Sequence, residues 1–380
     1  MKLGIDGWRI HGGTGVARYL TNLVQRWPGD YGSRFTELNL YTPRPVDREK
    51  VPLSEAVREC VVPSDARQLL WQNRVLARAC RDDVLWCPGY VRPLRTSARV
   101  VVTTHDATNR INPELYPRRD RIFYGRFYGW CARHASLVLT HNEITREDIA
   151  THYGVARERI RIVPLAPAEI FEKLDDRRAV ERVVGRLLGG GHLYFLNVGK
   201  VSIRRNVPTI IEAFAEFKRA TDLPYKLVVV GKNGLPRSPV ESAKALGIAE
   251  DFVYLDYASD DDLVALYNGA RGFVSAATYE SVSFTTLEAQ ATGTPVIIPD
   301  TPGLRATTGD HALIVPRVGV PELAEAMARL ARDEGLHERL VDAGLDYAAT
   351  LSWDRTARET LAVLEEAAAM DPPTRLPRAS

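Results

Sequence analysis

Short apolar runs alternate with amphipathic helices along this 380-residue chain, and the alternation breaks off once and then restarts. Residues 2–6, 38–41, 84–86, 99–104, 136–140 and 161–165 read as strands, with helices expected at 16–27, 68–79 and 143–152. The second half repeats the scheme. Strands are expected at 193–198, 226–230, 252–255, 296–299 and 312–315, and helices at 207–219, 263–268, 321–333 and 336–350. Continuously apolar strands that alternate with helices belong to parallel sheets covered on both faces. The length also exceeds that of a usual single core. The expectation is therefore α/β, with two Rossmann-like doubly wound domains at 1–168 and 192–353. Residues 169–191 carry D-D-R-R and then G-R-L-L-G-G-G, and read as a linker. Two such sheets present a ligand crevice at the carboxyl ends of their strands.

A net charge of +2 argues against a bulk polyelectrolyte partner, so nucleic acid is not expected. The four cysteines, Cys60, Cys80, Cys87 and Cys131, show no C-x-x-C spacing and read as reduced structural thiols. No apolar run approaches the ~18 residues of a spanning helix. The chain opens directly on its first strand, so no targeting segment is expected, and a cytoplasmic location follows.

The stretch 276–296, A-A-T-Y-E-S-V-S-F-T-T-L-E-A-Q-A-T-G-T-P-V, concentrates the chemistry. Ser283 stands at a helix N-cap position, and Gly293 with Pro295 ends the helix. Glu280 then lies in the loop before the helix and Glu288 about five residues inside it, roughly 7.5 Å along the axis. First-turn amides at the positive end of the dipole lie between them. That arrangement suits a phosphate in the middle with hydroxyl-rich groups at both ends, the shape of a nucleotide sugar. Either glutamate alone reads as a solvated or propensity-driven residue; the pair with G-T-P-V behind it is far more specific.

Four other segments carry candidate residues. Gly12, Gly13 and Gly15 precede a helix start, which admits close approach of a phosphate, although G-x-G-x-x-G and its acidic partner are missing. His105 and Asp106 end a buried strand. Arg204 and Arg205 form a cationic pocket after another strand, and guanidinium forks suit a diphosphate. The D-x-D within 256–263 reads as acidic N-capping rather than a metal site. Residues 116–134, Y-P-R-R-D-R-I-F-Y-G-R-F-Y-G-W-C-A-R-H, read as a partly exposed helix burying its aromatics; contact with an anionic bilayer or a lipid diphosphate is the sharper alternative. The tail 371–380 is read as disordered, and 354–370 as a last helix.

Residues 279–296 resemble the E-x7-E motif of retaining GT-B glycosyltransferases of family 4, typically Y-E-G-F-G-L-P-x-L-E-A-M-A-x-G-T-P-V. Tyr279, Glu280, Leu287, Glu288, Ala289, Ala291, Gly293, Thr294, Pro295 and Val296 match, while Ser281, Ser283 and Thr285 depart. Thr14, Gly15, Arg18 and Tyr19 are similar to the family's opening segment, T-T-H-D at 103–106 to its V-x-T-I-H-D, and 199–206 to G-x-x-x-x-R-K-N, with Arg205 where lysine is usual.

The resemblance implies two domains facing each other across a cleft, with the helix 354–370 crossing back to the first. It implies a metal-independent, cofactor-free hexosyl transfer from a nucleotide-diphosphate sugar to a glycan or lipid-linked acceptor, in surface polysaccharide or glycoconjugate synthesis. Gly15, Val16, Arg204, Arg205 and the amides near Ser281, Val282, Ser283, Phe284 and Thr285 would hold the donor. Glu280 would take the sugar hydroxyls and Glu288 the ribose. His105, with Asp106, would stand beside the sugar. A weak contact with the inner face of the membrane goes with this expectation. A sugar-nucleotide epimerase or hydrolase on the same fold, and a non-catalytic nucleotide-sugar sensor, stay open as alternatives.

Overall fold

A computed structural model describes residues 1–12, 15–116, 118–190 and 193–371, and the side chains of Leu115, Arg118, Arg119, Asp120, Ile122 and Phe123 are not among those described. Gly13, Thr14, part of the basic aromatic stretch and the tail from 372 therefore lie outside the described residues. The chain divides into two compact units, Met1–Leu165 with Ser352–Ser380, and Ala166–Leu351.

The first unit holds seven strands: β1 (Lys2–Asp6), β2 (Glu37–Thr42), β3 (Arg58–Val61), β4 (Val84–Cys87), β5 (Arg99–Thr103), β6 (Leu137–Thr140) and β7 (Ile160–Ile162). All pair in parallel in the order β3-β2-β1-β4-β5-β6-β7, with Ile5 opposite Leu40 and Trp86 opposite Val101. The order reverses between β1 and β4, a topological switch point. The helix Trp353–Ala369 belongs to this unit: Trp27 Nε1 donates to the Ala357 carbonyl at 3.0 Å, and Trp353, Leu361 and Leu364 are buried. Arg34–Glu365 and Arg161–Glu366 ion pairs flank the seam.

The second unit holds β8 (Tyr194–Val198), β9 (Lys226–Val230), β10 (Phe252–Leu255), β11 (Gly272–Val274), β12 (Val296–Pro299) and β13 (Leu313–Val315). These are also parallel, in the order β10-β9-β8-β11-β12-β13, so the switch point lies between β8 and β11. Alternate strand residues bury on opposite faces. Phe195, Leu227, Val229, Val274 and Ile297 join one core, and Tyr194, Leu196, Val228, Phe273 and Ile298 the other. Two-sided burial explains why these strands read as unbroken apolar runs.

Three expectations need correction. The stretch 169–191 is not a linker: it contains the helix Arg177–Leu188, capped by Asp176 and closed by Gly189 at φ 66°. Val180, Val184 and Leu188 form its apolar stripe at i, i+4 and i+8 and pack with Tyr194 and Tyr267 in the second core. Strands β3 and β11 were not expected, because an edge strand reading R-E-C-V is too polar to stand out and β11 is only three residues long. The helix expected at 68–79 contains a π-helical segment, Gln72–Leu76. The four cysteines form no disulfide. Among the described residues no helix is long and apolar enough to cross a membrane.

Candidate active site

In the second unit, the loops that follow the two strands flanking the switch point carry the charged candidates. After β8 the chain turns through Gly199, at φ 126°, and reaches Arg204 and Arg205 before the helix Val207–Ala220. After β11 it runs through Thr278 to Glu280. Arg204 Nη1 donates to Glu280 Oε2 at 2.6 Å and to the Tyr279 carbonyl at 2.9 Å. The Arg204 carbonyl in turn accepts from the Thr278 amide at 3.2 Å, so the two loops are tied at backbone and side chain. Arg205 points elsewhere: its Nη1 donates to the Val198 carbonyl at 2.9 Å. A Cβ on Gly199 would lie 1.9 Å from that nitrogen, so the bare glycine makes the space the guanidinium occupies.

The helix Phe284–Ala291 begins where expected, with Ser283 at the N-cap position. Ser283 makes no side-chain cap bond, however. Its hydroxyl bonds the Thr285 hydroxyl at 3.2 Å, while its amide donates to Thr307 Oγ1 at 3.4 Å. The cap residue's own hydroxyl therefore does not neutralise the positive end of the helix. Ser281, Val282, Phe284 and Thr285 are half-buried beside this turn. Glu288, only 4% exposed, accepts from the Tyr267 hydroxyl at 3.2 Å. The Glu280 side chain is 12% exposed. The helix Pro302–Thr308 supports the loop from behind, since a Cβ on Gly303 would come within 1.6 Å of the Glu280 carbonyl.

In the first unit, Gly15 and Val16 open the helix Gly15–Arg26. One turn on, the buried Tyr19 ring meets His105 and His141 edge-on, at centroid distances of 5.7 and 5.4 Å. His105 Nδ1 lies 2.8 Å from His141 Nε2, and its Nε2 lies 2.7 Å from the Pro88 carbonyl. His141 Nδ1 lies 3.0 Å from the Val163 carbonyl. Bonding along this whole chain uses three protons on two imidazoles, one more than the neutral pair holds. Burial opposes that charge. It lowers His105 against the Pro88 carbonyl and Asp106, and, with His105 adding to it, brings His141 down to about 3. Asp106 is fully engaged in shaping the loop: Oδ2 accepts from the Tyr90 hydroxyl at 2.7 Å and Oδ1 from the Thr108 amide at 2.9 Å.

The matching family models are Glycosyl transferases group 1, over residues 186–346, and Glycosyltransferase Family 4, over residues 13–166. The chain is a family 4-type glycosyltransferase. Among its relatives, the O-antigen chain mannosyltransferase B of Escherichia coli is 26% identical over 75% of this chain and 74% of its own length. The D-inositol 3-phosphate glycosyltransferase of Kribbella flavida is 30% identical over 61% of this chain, but the match spans only 57% of that relative. The Anabaena protein HepE, solved with UDP and glucose, shares the fold at a TM-score of 0.74 and 14% identity, covering 96% of this chain and 100% of that one.

Within this glycosyltransferase, motif reading singled out neither His141 nor Tyr90, nor the loop-supporting Gly303. His141 follows β6 as His105 follows β5, each in a T-H pair just past a buried strand. That repeated signal was available. Tyr90 sits at φ 61°, a strained value for a non-glycine residue, which no residue type announces.

Proposed function

We propose that this glycosyltransferase is a retaining enzyme that moves a hexose from a nucleotide-diphosphate sugar to a glycan or lipid-linked acceptor. The supporting observation is that Arg204, Arg205 and Glu280 stand on the loops after β8 and β11, at the switch point of one sheet, with an uncapped helix start beside them. Negative charge grows on the leaving diphosphate as the anomeric carbon becomes oxocarbenium-like. Fixed cations and helix amides stabilise that oxygen without reorganising. Arg205 and the amides around Ser283–Thr285 take this role in our reading, with no metal needed. Arg204 acts differently from the sequence expectation: it orients Glu280 while contributing its charge to the same pocket.

Glu280 takes the sugar hydroxyls. Glu288, its rotamer fixed by Tyr267, takes the ribose. In the first unit, His141 holds the His105 ring. The departing phosphate deprotonates the acceptor on the same face, which preserves the anomeric configuration. UDP and glucose bound to the related fold support a nucleotide-sugar donor, and the O-antigen chain mannosyltransferase relative supports a glycan acceptor. Product analysis by proton NMR with a panel of α-linked hexose donors tests the reading. An α-glycoside supports retention; a β-glycoside overturns it, and release of free hexose with every acceptor offered would make the protein a hydrolase.

A further inference from the structure

The second unit carries another cationic concavity, at the opposite end of its sheet. A cavity of about 190 Å³ opens where the chain enters β8, β11 and β12, beside Leu193, Arg271 and Gly293. Because all six strands are parallel, this end is remote from Arg205 and Glu280, which follow the carboxyl ends. The helix Phe284–Ala291 starts at the donor loop and ends at Thr292, in the cavity wall.

Four basic side chains line it: Lys173, Arg177, Arg271 and His337. Exposed lysines and arginines are ordinary on any surface. Arg271 is not of that kind, for its side chain is 13% exposed. Its Nε donates to the Leu330 carbonyl at 2.9 Å and Nη1 to Glu334 at 2.8 Å, while Nη2 is buried with no hydrogen-bond partner. Among the described residues, Glu334 is the carboxylate paired here, and it lies 3.7 Å from His337 Nδ1. Three permanent cations against one carboxylate leave the wall with an excess of two positive charges. His337 is lowered by burial first, then by Arg271 and Arg177, with Glu334 opposing. An anion in the cavity would relieve the crowding of these cations.

We propose that this cavity is a second anion site, which takes the phosphate group of a small soluble phosphate ester. Its volume equals that of about six waters, room for a phosphate and a short attached stem. Lys173 and Arg177 close the rim, Arg271 supplies the fixed charge, and the Asn268 carbonyl, which accepts from Arg177 Nη1 at 3.3 Å, holds that rim residue in place.

The His337 imidazole gives a local readout that the donor loops do not share. Its proton NMR titration is followed in the full-length protein with and without inorganic phosphate, and the resonance is assigned by His337→Gln. Phosphate is expected to raise the His337 midpoint, and Lys173→Ala/Arg177→Ala to weaken that effect about tenfold or more. Both residues are exposed and outside the transfer machinery, so fold and turnover stay unchanged in the variant. Arg205→Ala leaves the His337 response intact even if it abolishes donor binding. A His337 midpoint indifferent to phosphate and to glucose 6-phosphate overturns the site. So does an equal response in the double variant, and a response to phosphatidylglycerol vesicles alone overturns the assignment to a soluble ester.

Discussion

Arg204 and Glu280 are joined by a 2.6 Å ion pair that links the loops after β8 and β11. The pair is half-buried, and Arg204 also holds the Tyr279 carbonyl. Glu280→Ala removes the carboxylate proposed to take the sugar hydroxyls but leaves Arg204 its backbone acceptor. Turnover should fall about a hundredfold or more, while the melting temperature stays within about 4 °C of the parent. Steady-state assay beside differential scanning fluorimetry checks both halves; near-parental turnover removes Glu280 from the site.

Arg205 is the diphosphate residue in this account. Arg205→Ala should weaken the free nucleoside diphosphate and its sugar by the same factor, about 10- to 100-fold. Gly199→Ala should reproduce that loss, since a Cβ 1.9 Å from the Arg205 Nη1 displaces the guanidinium and strains a φ of 126°. Calorimetric titration of both ligands into both variants decides it. An unchanged diphosphate affinity in Arg205→Ala would sink the assignment.

Gly303 tests whether the loop's position matters as well as its charges. An added methyl would meet the Glu280 carbonyl at 1.6 Å and push the loop outward. Gly303→Ala is expected to cost about 1–3 kcal/mol of stability and to lower turnover along with it. A variant with parental melting and rate would show that the loop yields freely.

Acid should destabilise the first unit through its histidines. His141 sits near 3 in the fold against 6.5 for a free imidazole, and His105 is lowered too. The unfolded chain therefore binds protons that the fold refuses, so stability is full above about pH 6.5 and falls as pH drops toward 3. His141→Gln should flatten this limb between pH 6 and 4, as read by urea denaturation. An unchanged slope would mean that His141 accepts its proton in the native state.

Much of the fold was legible because burial on both sheet faces writes itself as apolar runs, as in L-V-V-V at 227–230. The helix Arg177–Leu188 was not, because its stripe of Val180, Val184 and Leu188 is embedded among arginines and flanked by glycines that read as loop. Residue types in the site were legible from spacing, but directions were not. Arg204 and Arg205 are adjacent and chemically identical, yet one turns to Glu280 and the other to the Val198 carbonyl. Ser283 occupies the cap position without capping, because Thr285 and Thr307 compete for it. Such choices are made by tertiary neighbours, which a linear reading does not contain.

The second unit is proposed to bind a nucleotide sugar through its own cations. The most direct measurement is thermal shift of the parent and Arg205→Ala with UDP, GDP and ADP and their hexose derivatives, each with and without EDTA. One nucleoside diphosphate and its sugar should stabilise the parent by about 2.7 kcal/mol at a hundredfold excess over Kd. That stabilisation should be unaffected by EDTA and much reduced in Arg205→Ala. No shift with any nucleotide, or a shift that EDTA abolishes, would contradict it.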